Sequence, residues 1–408
     1  MPRTRLPEVL ARIGEIARRH GLTVANVFHA GDGNLHPNIL FDRRDPAELE
    51  KVERASKEIM TACVEAGGTI TGEHGVGIDK RRYMTLVHGP AELEAMAAVK
   101  EVFDPGARFN PGKVLPEGPA AAPPPEPRGG AGPVSRIPDT TREGGAPARS
   151  GGVIPALEAI LGGDRVAEDS RGGPPLVSPR STEEVAVLLE AATASGWRVS
   201  PAGRGVHPGA AGRRSAADLV LSTSALRSVL EYEPADLTLT AQAGLDLAGV
   251  AAATGAHGQW LPLDPPGPLT ATLGGSLATG IAGALAGRYG APRDLVLGLT
   301  CVTGDGRVLR LGGRVVKNVA GFDLVKLLVG SRGRLGVIVD ATLRLFPLPA
   351  ADRVLVAEAE SLEALVALLR AVAGAPLVPA ALVAGEPGGE EAPALAVVRL
   401  AGSRAAVD

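Results

Sequence analysis

Cysteine is almost missing from this chain: Cys63 and Cys301 are the only two, far apart and each inside an apolar stretch. A disulfide framework is therefore not expected, a reducing compartment fits, and there are too few thiolates to carry an iron–sulfur cluster. Aromatic residues are scarce at 3% and the formal net charge is only −3. No lysine-rich stripe interleaved with aromatics stands out from that balance, so no nucleic-acid partner is expected. Long apolar runs are lacking too. The most apolar late stretch, Leu362 to Val383, is broken by Arg370, Pro376 and Pro379, so it cannot cross a bilayer as a plain helix. At the N-terminus, MPRTRLPEVLARIGEIARRHG spreads its arginines through an amphipathic pattern rather than ahead of an apolar core, unlike a secretory signal. The expectation is a cytoplasmic protein, with at most peripheral association with the inner face of the cell membrane.

What the chain has in quantity is glycine and apolar residues. At 408 residues and 45% hydrophobic content it is long enough for two or three domains with real cores. Gly274, Gly275, Gly280, Gly283 and Gly287 crowd a run of small residues, where absent side chains would let backbone N–H groups approach something large and flat. The apolar runs that follow, Leu295–Val302, Val308–Leu311 and Val337–Leu345, have strand composition, with a turn at Gly304–Asp305–Gly306. A glycine-rich all-β or α+β core without a ligand is the competing reading. Upstream, Val199–Ser200–Pro201 leads into Ala202, Gly203, Arg204, Gly205, Val206, His207, Pro208 and Gly209. Such a turn after a strand presents consecutive N–H groups to a diphosphate, or it is a surface loop. Helices are expected near Leu157–Ile160, after the capping pattern Ser181–Thr182–Glu183–Glu184, at Ser224–Val229 and at Leu245–Ala253.

The first 115 residues read as a separate module. Leu6, Val9, Leu10, Ile13 and Ile16 recur at helical spacing with Gly21 as a stop, and a strand follows over Leu22–Phe28. Next comes His29–Ala30–Gly31–Asp32–Gly33–Asn34–Leu35–His36. If Asp32–Gly33 is a two-residue hairpin turn, His29 opposes His36 with Cβ atoms about 5 Å apart, close enough to share a metal ion. A helix over 46–66 should bury Leu49, Val52, Ile59 and Cys63, and beyond it Gly72–Glu73–His74–Gly75 offers a carboxylate and an imidazole. Two histidines and a carboxylate with an open position suit a divalent ion such as zinc. Equally open at this level is a hydrogen-bonded His29–His36 pair with Glu73–His74 as a turn. Residues 116–152 are dense in Pro, Gly and Ala without apolar periodicity, and read as a flexible linker.

Several motifs in order resemble the FAD-linked oxidase family of the PCMH, or vanillyl-alcohol-oxidase, type. Leu263–Asp264–Pro265–Pro266, Thr272–Leu273–Gly274–Gly275, Ala278–Thr279–Gly280, Arg293–Asp294, residues 316–323 and residues 330–338 are similar to the FAD-binding domain of the smaller flavin subunit of glycolate oxidases. HAGDGNLHP, GEHGVG and FDPGARFNPGKVLP are similar to the end of the cap domain of the larger flavin subunit. The resemblance implies an α+β fold: a PCMH-type FAD-binding domain over 153–349, preceded by a partial FAD-linked oxidase C-terminal (cap) module over 1–115. The start of a truncated second cap would occupy 350–408. The layout reads as a gene fusion.

The same resemblance implies FAD held by Gly203, Arg204, Gly205, Val206, His207, Gly209, Asp264, Pro265, Thr272, Gly274, Gly275, Ser276, Ala278, Thr279, Gly280, Arg293 and Asp294. Gly336, Val337 and Ile338 would contribute backbone contacts, and Asn110 and Lys113 a terminal segment near the flavin. Lys317 and Asn318 either bond to the cofactor or shape their turn. Arg204, Val206 and His207 stand where the family carries a richer glycine run, and Arg204 offers a charge-assisted contact instead. The positions matching His29, His36 and Glu73 bind a divalent metal in the family, and the one matching His74 faces substrate as proton acceptor. No histidine- or cysteine-linked flavin attachment is evident. The implied activity is FAD-dependent oxidation of a small 2-hydroxy acid, of glycolate or D-lactate type, with electrons leaving through flavin and iron–sulfur partner subunits. The competing reading is a non-catalytic FAD-binding subunit that relays electrons or supports assembly. An incomplete cap should leave an unpaired sheet edge.

Overall fold

The computed structural model describes residues 1–29, 33–72, 74–104, 112–116, 150–170, 172–205, 217–315, 318–359, 361–374, 378–385 and 394–407. Most of the proposed linker lies outside them. Helices and strands mix throughout, and the chain divides into two compact units. The first comprises Met1–Ser200, Arg213–Leu221 and Val302–Leu324, and the second Pro201–Gly212, Ser222–Cys301 and Val325–Asp408.

In the first unit, helix Leu6–His20 buries Leu6, Val9, Ile13, Ile16 and Ala17, and ends where Gly21 takes the left-handed conformation at φ 63°. Only a residue without Cβ enters that region freely, which is why the periodicity stops there. Helix Pro46–Glu65 starts on Asp45, whose carboxylate accepts the N–H of Ala47 at 2.8 Å. Its buried face is Ala55, Ile59, Ala62 and Cys63. Leu49 is exposed at 38% and Val52 is half-buried, contrary to their expected burial: the buried face starts only at Ala55. Val9, Ile13 and Ile16 close on Ala55, Ile59 and Ala62, and Val24, Leu35 and Ile39 of a two-stranded sheet pack on that cluster. Removing roughly 1.5–3 kcal/mol worth of apolar surface per buried Ile or Val from water is the main force holding this sandwich together.

Later in the same unit, Ser181 caps helix Thr182–Ser195, its hydroxyl accepting the N–H of Glu184 at 3.2 Å. Val185, Leu188 and Leu189 are buried as their spacing predicts. The Thr303–Arg307 turn precedes strand Val308–Gly312.

The second unit holds strands Val296–Val302, Val337–Arg344, Thr238–Gln242 and Val229–Glu233 side by side in one sheet. The helix expected at Ser224–Val229 is not formed. Residues 223–226 turn back so that Leu226 N–H reaches Thr223 O at 2.9 Å, and Val229–Glu233 pairs as a strand with Thr238–Gln242. Its Val, Leu and Tyr favour that extended ladder over a helix. A three-stranded sheet, Ala351–Ala359 beside Ala394–Gly402 beside Ala381–Gly385, carries helix Leu362–Gly374. No helix among the described residues is long and apolar enough to cross a membrane.

Candidate functional site

The histidine motif of the first unit lies on strands Thr23–His29 and Asn34–Leu40, which pair antiparallel. Their register corrects the two-residue turn. His29 pairs with Asn34, Phe28 with Leu35 and Val27 with His36, so four residues connect the strands and His29 sits diagonally, not directly, across from His36. The loop closes on Gly33 at φ 65°, a conformation that suits a longer turn ending in a left-handed residue. Asn34 is buried at 8% exposure and its amide Nδ2 donates to His36 Nε2 at 3.2 Å. A Cβ at Gly72 would stand 2.9 Å from Asn34 Oδ1; glycine there lets the following loop lie against the strand. That loop delivers His74, exposed, with its ring centroid 5.3 Å from that of His36. His36 and His74 are thus brought together. Glu73 and the side chain of His29 lie outside the described residues, among which no group of three or more His, Cys, Asp or Glu could hold a metal. A metal on His36 Nε2 would have to displace the Asn34 amide.

Two further candidates sit in the same unit. Lys113 is exposed, on a segment whose Val114 N–H donates to Gly77 O at 2.8 Å; Asn110 lies outside the described residues, as does Lys317. Asn318 is engaged by its own turn and by the first module: its Oδ1 accepts the N–H of Ala320 at 3.0 Å and the hydroxyl of Thr69 at 3.1 Å. Val319 N–H donates to Thr71 O at 3.3 Å, and His88 Nε2 donates to Ala320 O at 2.7 Å. Burial pushes the His88 imidazole below its usual pKa, against the pull of the Ala320 carbonyl and of Glu92.

In the second unit the glycine-bearing loops meet. A Cβ on Gly203 would stand 2.1 Å from Thr272 Oγ1, and one on Gly274 2.6 Å from the Ala243 Cβ. Gly280, at φ 64°, lies against Gly330, whose N–H donates to Leu277 O at 3.0 Å. Arg332 N–H donates to Ala278 O at 2.8 Å, and Gly333 packs on Pro201. Thr272 itself is buried and caps the helix Leu273–Thr279 by accepting the N–H of Gly275 at 3.3 Å, while Ser276 Oγ donates to Thr272 O at 3.0 Å. Gly203, Gly275, Ala278, Thr279, Gly280 and Gly336 are half-buried and Gly205 is exposed, whereas Val337 and Ile338 are buried. Three adjoining loops rich in small residues thus meet here, held to one another by backbone hydrogen bonds and close glycine contacts.

The charged candidates are mostly engaged within the protein. Arg204 Nη1 lies 3.1 Å from Asp246 Oδ2, and Asp246 also caps helix Leu247–Gly255 through the N–H of Gly249 at 2.8 Å. Asp294 accepts the N–H of Ala291 at 2.9 Å beside Arg293. Burial holds the Asp264 carboxyl above the usual carboxylate range although the N–H of Leu285 donates to it at 3.1 Å; Pro265 follows directly. Val206, His207 and Gly209 lie outside the described residues. Asn34, Thr69, His88 and Asp246 were not singled out by sequence; only Asn34, inside the histidine motif, gave any local signal.

Residues 1–114 match the family of FAD linked oxidases, C-terminal domain, and residues 174–312 match an FAD binding domain family. The glycolate oxidase subunit GlcD of Escherichia coli strain K12 is 47% identical over 116 residues, covering 28% of this chain and 23% of that protein. Its counterpart GlcE from the same strain is 44% identical over 127 residues, covering 31% of this chain and 36% of that protein. A solved structure of alkyldihydroxyacetonephosphate synthase aligns with TM-score 0.54 at 20% identity, covering 64% of this chain and 57% of that one. That last likeness bears on the fold alone. The chain spans about a quarter to a third of the length of these two curated relatives.

Proposed function

We propose, for a chain that joins an FAD-linked oxidase C-terminal segment to an FAD-binding domain, that it is a component of an FAD-dependent 2-hydroxy-acid oxidoreductase of glycolate or D-lactate type. The observation that carries this reading is the His36–His74 pair, with rings 5.3 Å apart, in the segment that matches FAD-linked oxidases.

In this reading the dinucleotide lies along Gly203–Gly205, Thr272–Gly280 and Gly336–Ile338, where Gly203, Gly275, Ala278, Thr279, Gly280 and Gly336 are half-buried and Gly205 is exposed. Asp264 and Pro265 form part of its wall. Bound FAD would supply the hydride acceptor. His74, exposed, takes the proton of the substrate hydroxyl. His36 presents a second imidazole beside it, its ring held by the buried Asn34. With His29 and Glu73, and with the Asn34 amide displaced from its Nε2, His36 would hold a divalent ion such as zinc, whose charge would polarise the carboxylate and hydroxyl of the acid. Electrons then pass to flavin and iron–sulfur partner subunits, and the protein works in the cytoplasm with at most peripheral membrane contact. The order of an FAD-linked oxidase C-terminal segment, a linker over 116–152 and an FAD-binding domain over 153–349 supports reading the chain as a gene fusion.

The experiment is anaerobic addition of glycolate or D-lactate to the purified yellow protein. Bleaching of the flavin is the expected result. A flavin indifferent to every 2-hydroxy acid supports the relay or assembly role instead.

A further inference from the structure

The turn at residues 318–321 is gripped by the first module at several points. Thr69 donates its hydroxyl to Asn318 Oδ1 at 3.1 Å, and the carbonyl of Thr71 accepts the N–H of Val319 at 3.3 Å. His88 Nε2 donates to Ala320 O at 2.7 Å. Gly321, at φ 94°, fits so tightly that a Cβ would stand 2.7 Å from Met96 Sδ and 3.0 Å from the Met84 methyl. Thr69 and Thr71 begin the loop that passes Gly72 and carries His74. Asn318 is the one side chain in the turn that bonds both ways: inward to Ala320 N–H, which fixes its own turn, and outward to Thr69, which fixes the loop. Some 249 residues separate the two partners in sequence, so the bond ties the loop to a distant part of the chain, beside the Thr71–Val319 backbone bond.

We propose that Asn318 is a positioning residue for His74, acting through Thr69. This rests on the reading of His74 as the base. Its carboxamide oxygen is the acceptor that sets where the 69–74 loop lies on the 318–321 turn, and with it the ring pair at His36. A change that keeps two acceptor lone pairs preserves the function, and one that removes the oxygen does not. Imidazole placement matters because a displacement of about 1 Å in a proton acceptor can cost on the order of a hundredfold in rate.

The test uses the full flavin-loaded chain in four forms: Asn318→Ala, Asn318→Asp, Thr69→Val and the Thr69→Val/Asn318→Ala double variant. Two quantities are read, amide hydrogen exchange over residues 69–74 and the saturating rate of anaerobic flavin bleaching by glycolate with its half-saturating concentration. Asn318→Ala and Thr69→Val should each speed exchange of the loop and lower the saturating rate by about tenfold, with the half-saturating concentration held within about twofold. Asn318→Asp should restore both, and the double variant should be no worse than either single one, as partners in one bond require. Loop exchange unchanged in Asn318→Ala, or a rate loss that Asn318→Asp does not rescue, overturns the proposal. If no 2-hydroxy acid bleaches the wild type, the substrate reading has failed, and loop exchange alone decides whether Asn318 sets the loop.

Discussion

The rings of His36 and His74 lie 5.3 Å apart with an interplanar angle of 42°, although 38 positions separate them in sequence. One is fixed on a strand by the Asn34 amide and the other is exposed on a loop admitted by Gly72. Their environments differ, so their substitutions should differ. His74→Ala should abolish hydroxy-acid bleaching, a loss of about a hundredfold or more, while leaving flavin content and thermal stability at wild-type values. Stopped-flow absorbance with parallel flavin quantification checks both.

His36 is the member that would ligate metal. Metal analysis of the purified protein should find a divalent ion in wild type and a large loss in His36→Ala, as removal of one of three protein ligands implies. Equal metal content in the two proteins removes the metal from the account and leaves the histidine pair as bases and hydrogen-bond partners.

Glycine is needed at position 280 and dispensable at 287. Gly280→Ala meets both a φ of 64° and the Gly330 backbone at 2.8 Å, whereas a Cβ on Gly287 meets nothing within 4 Å. The first change should cost about 1–3 kcal/mol, and the second should be neutral or stabilise by up to about 1 kcal/mol. Urea unfolding of the two variants against wild type measures the contrast.

His88 gives the first unit a stability that depends on pH. It is 5% exposed, its Nδ1 is buried with no hydrogen-bond partner, and burial lowers its pKa in the folded state. The unfolded chain, with an ordinary histidine pKa of about 6.5, binds the proton more readily. Stability is therefore complete above about pH 6.5 and falls as the pH drops towards the lowered folded value. His88→Gln, which keeps a donor for Ala320 O, should flatten the difference in melting temperature between pH 7.5 and pH 5.5. An unchanged difference would assign the acid sensitivity to other groups.

Much of the local structure is legible in the sequence because its causes are local. Gly21 ends the first helix through its own left-handed backbone, and Ser181 starts another through a bond to a residue three positions on. The hairpin register is harder, since the pattern Asp32–Gly33 fits both a two-residue turn and the end of a four-residue one, and only the ladder His29–Asn34 decides. Val229–Glu233 is an edge strand with Leu230 52% exposed, so its periodicity carries little signal and a helix looks equally good. Arg204 reads as a free cation until Asp246, forty-two positions away, occupies it. Asn318 is the furthest case: which partner its oxygen takes depends on Thr69, in another part of the chain altogether.

The central claim is that the loops meeting at Gly203, Thr272, Gly280 and Gly330 hold FAD. Its most direct measurement is the visible spectrum of the purified full chain before and after incubation with excess FAD and removal of the unbound fraction. A yellow protein carrying close to one flavin per chain is the predicted result. A chain that stays colourless through that treatment contradicts the account, and the hydroxy-acid chemistry built on it.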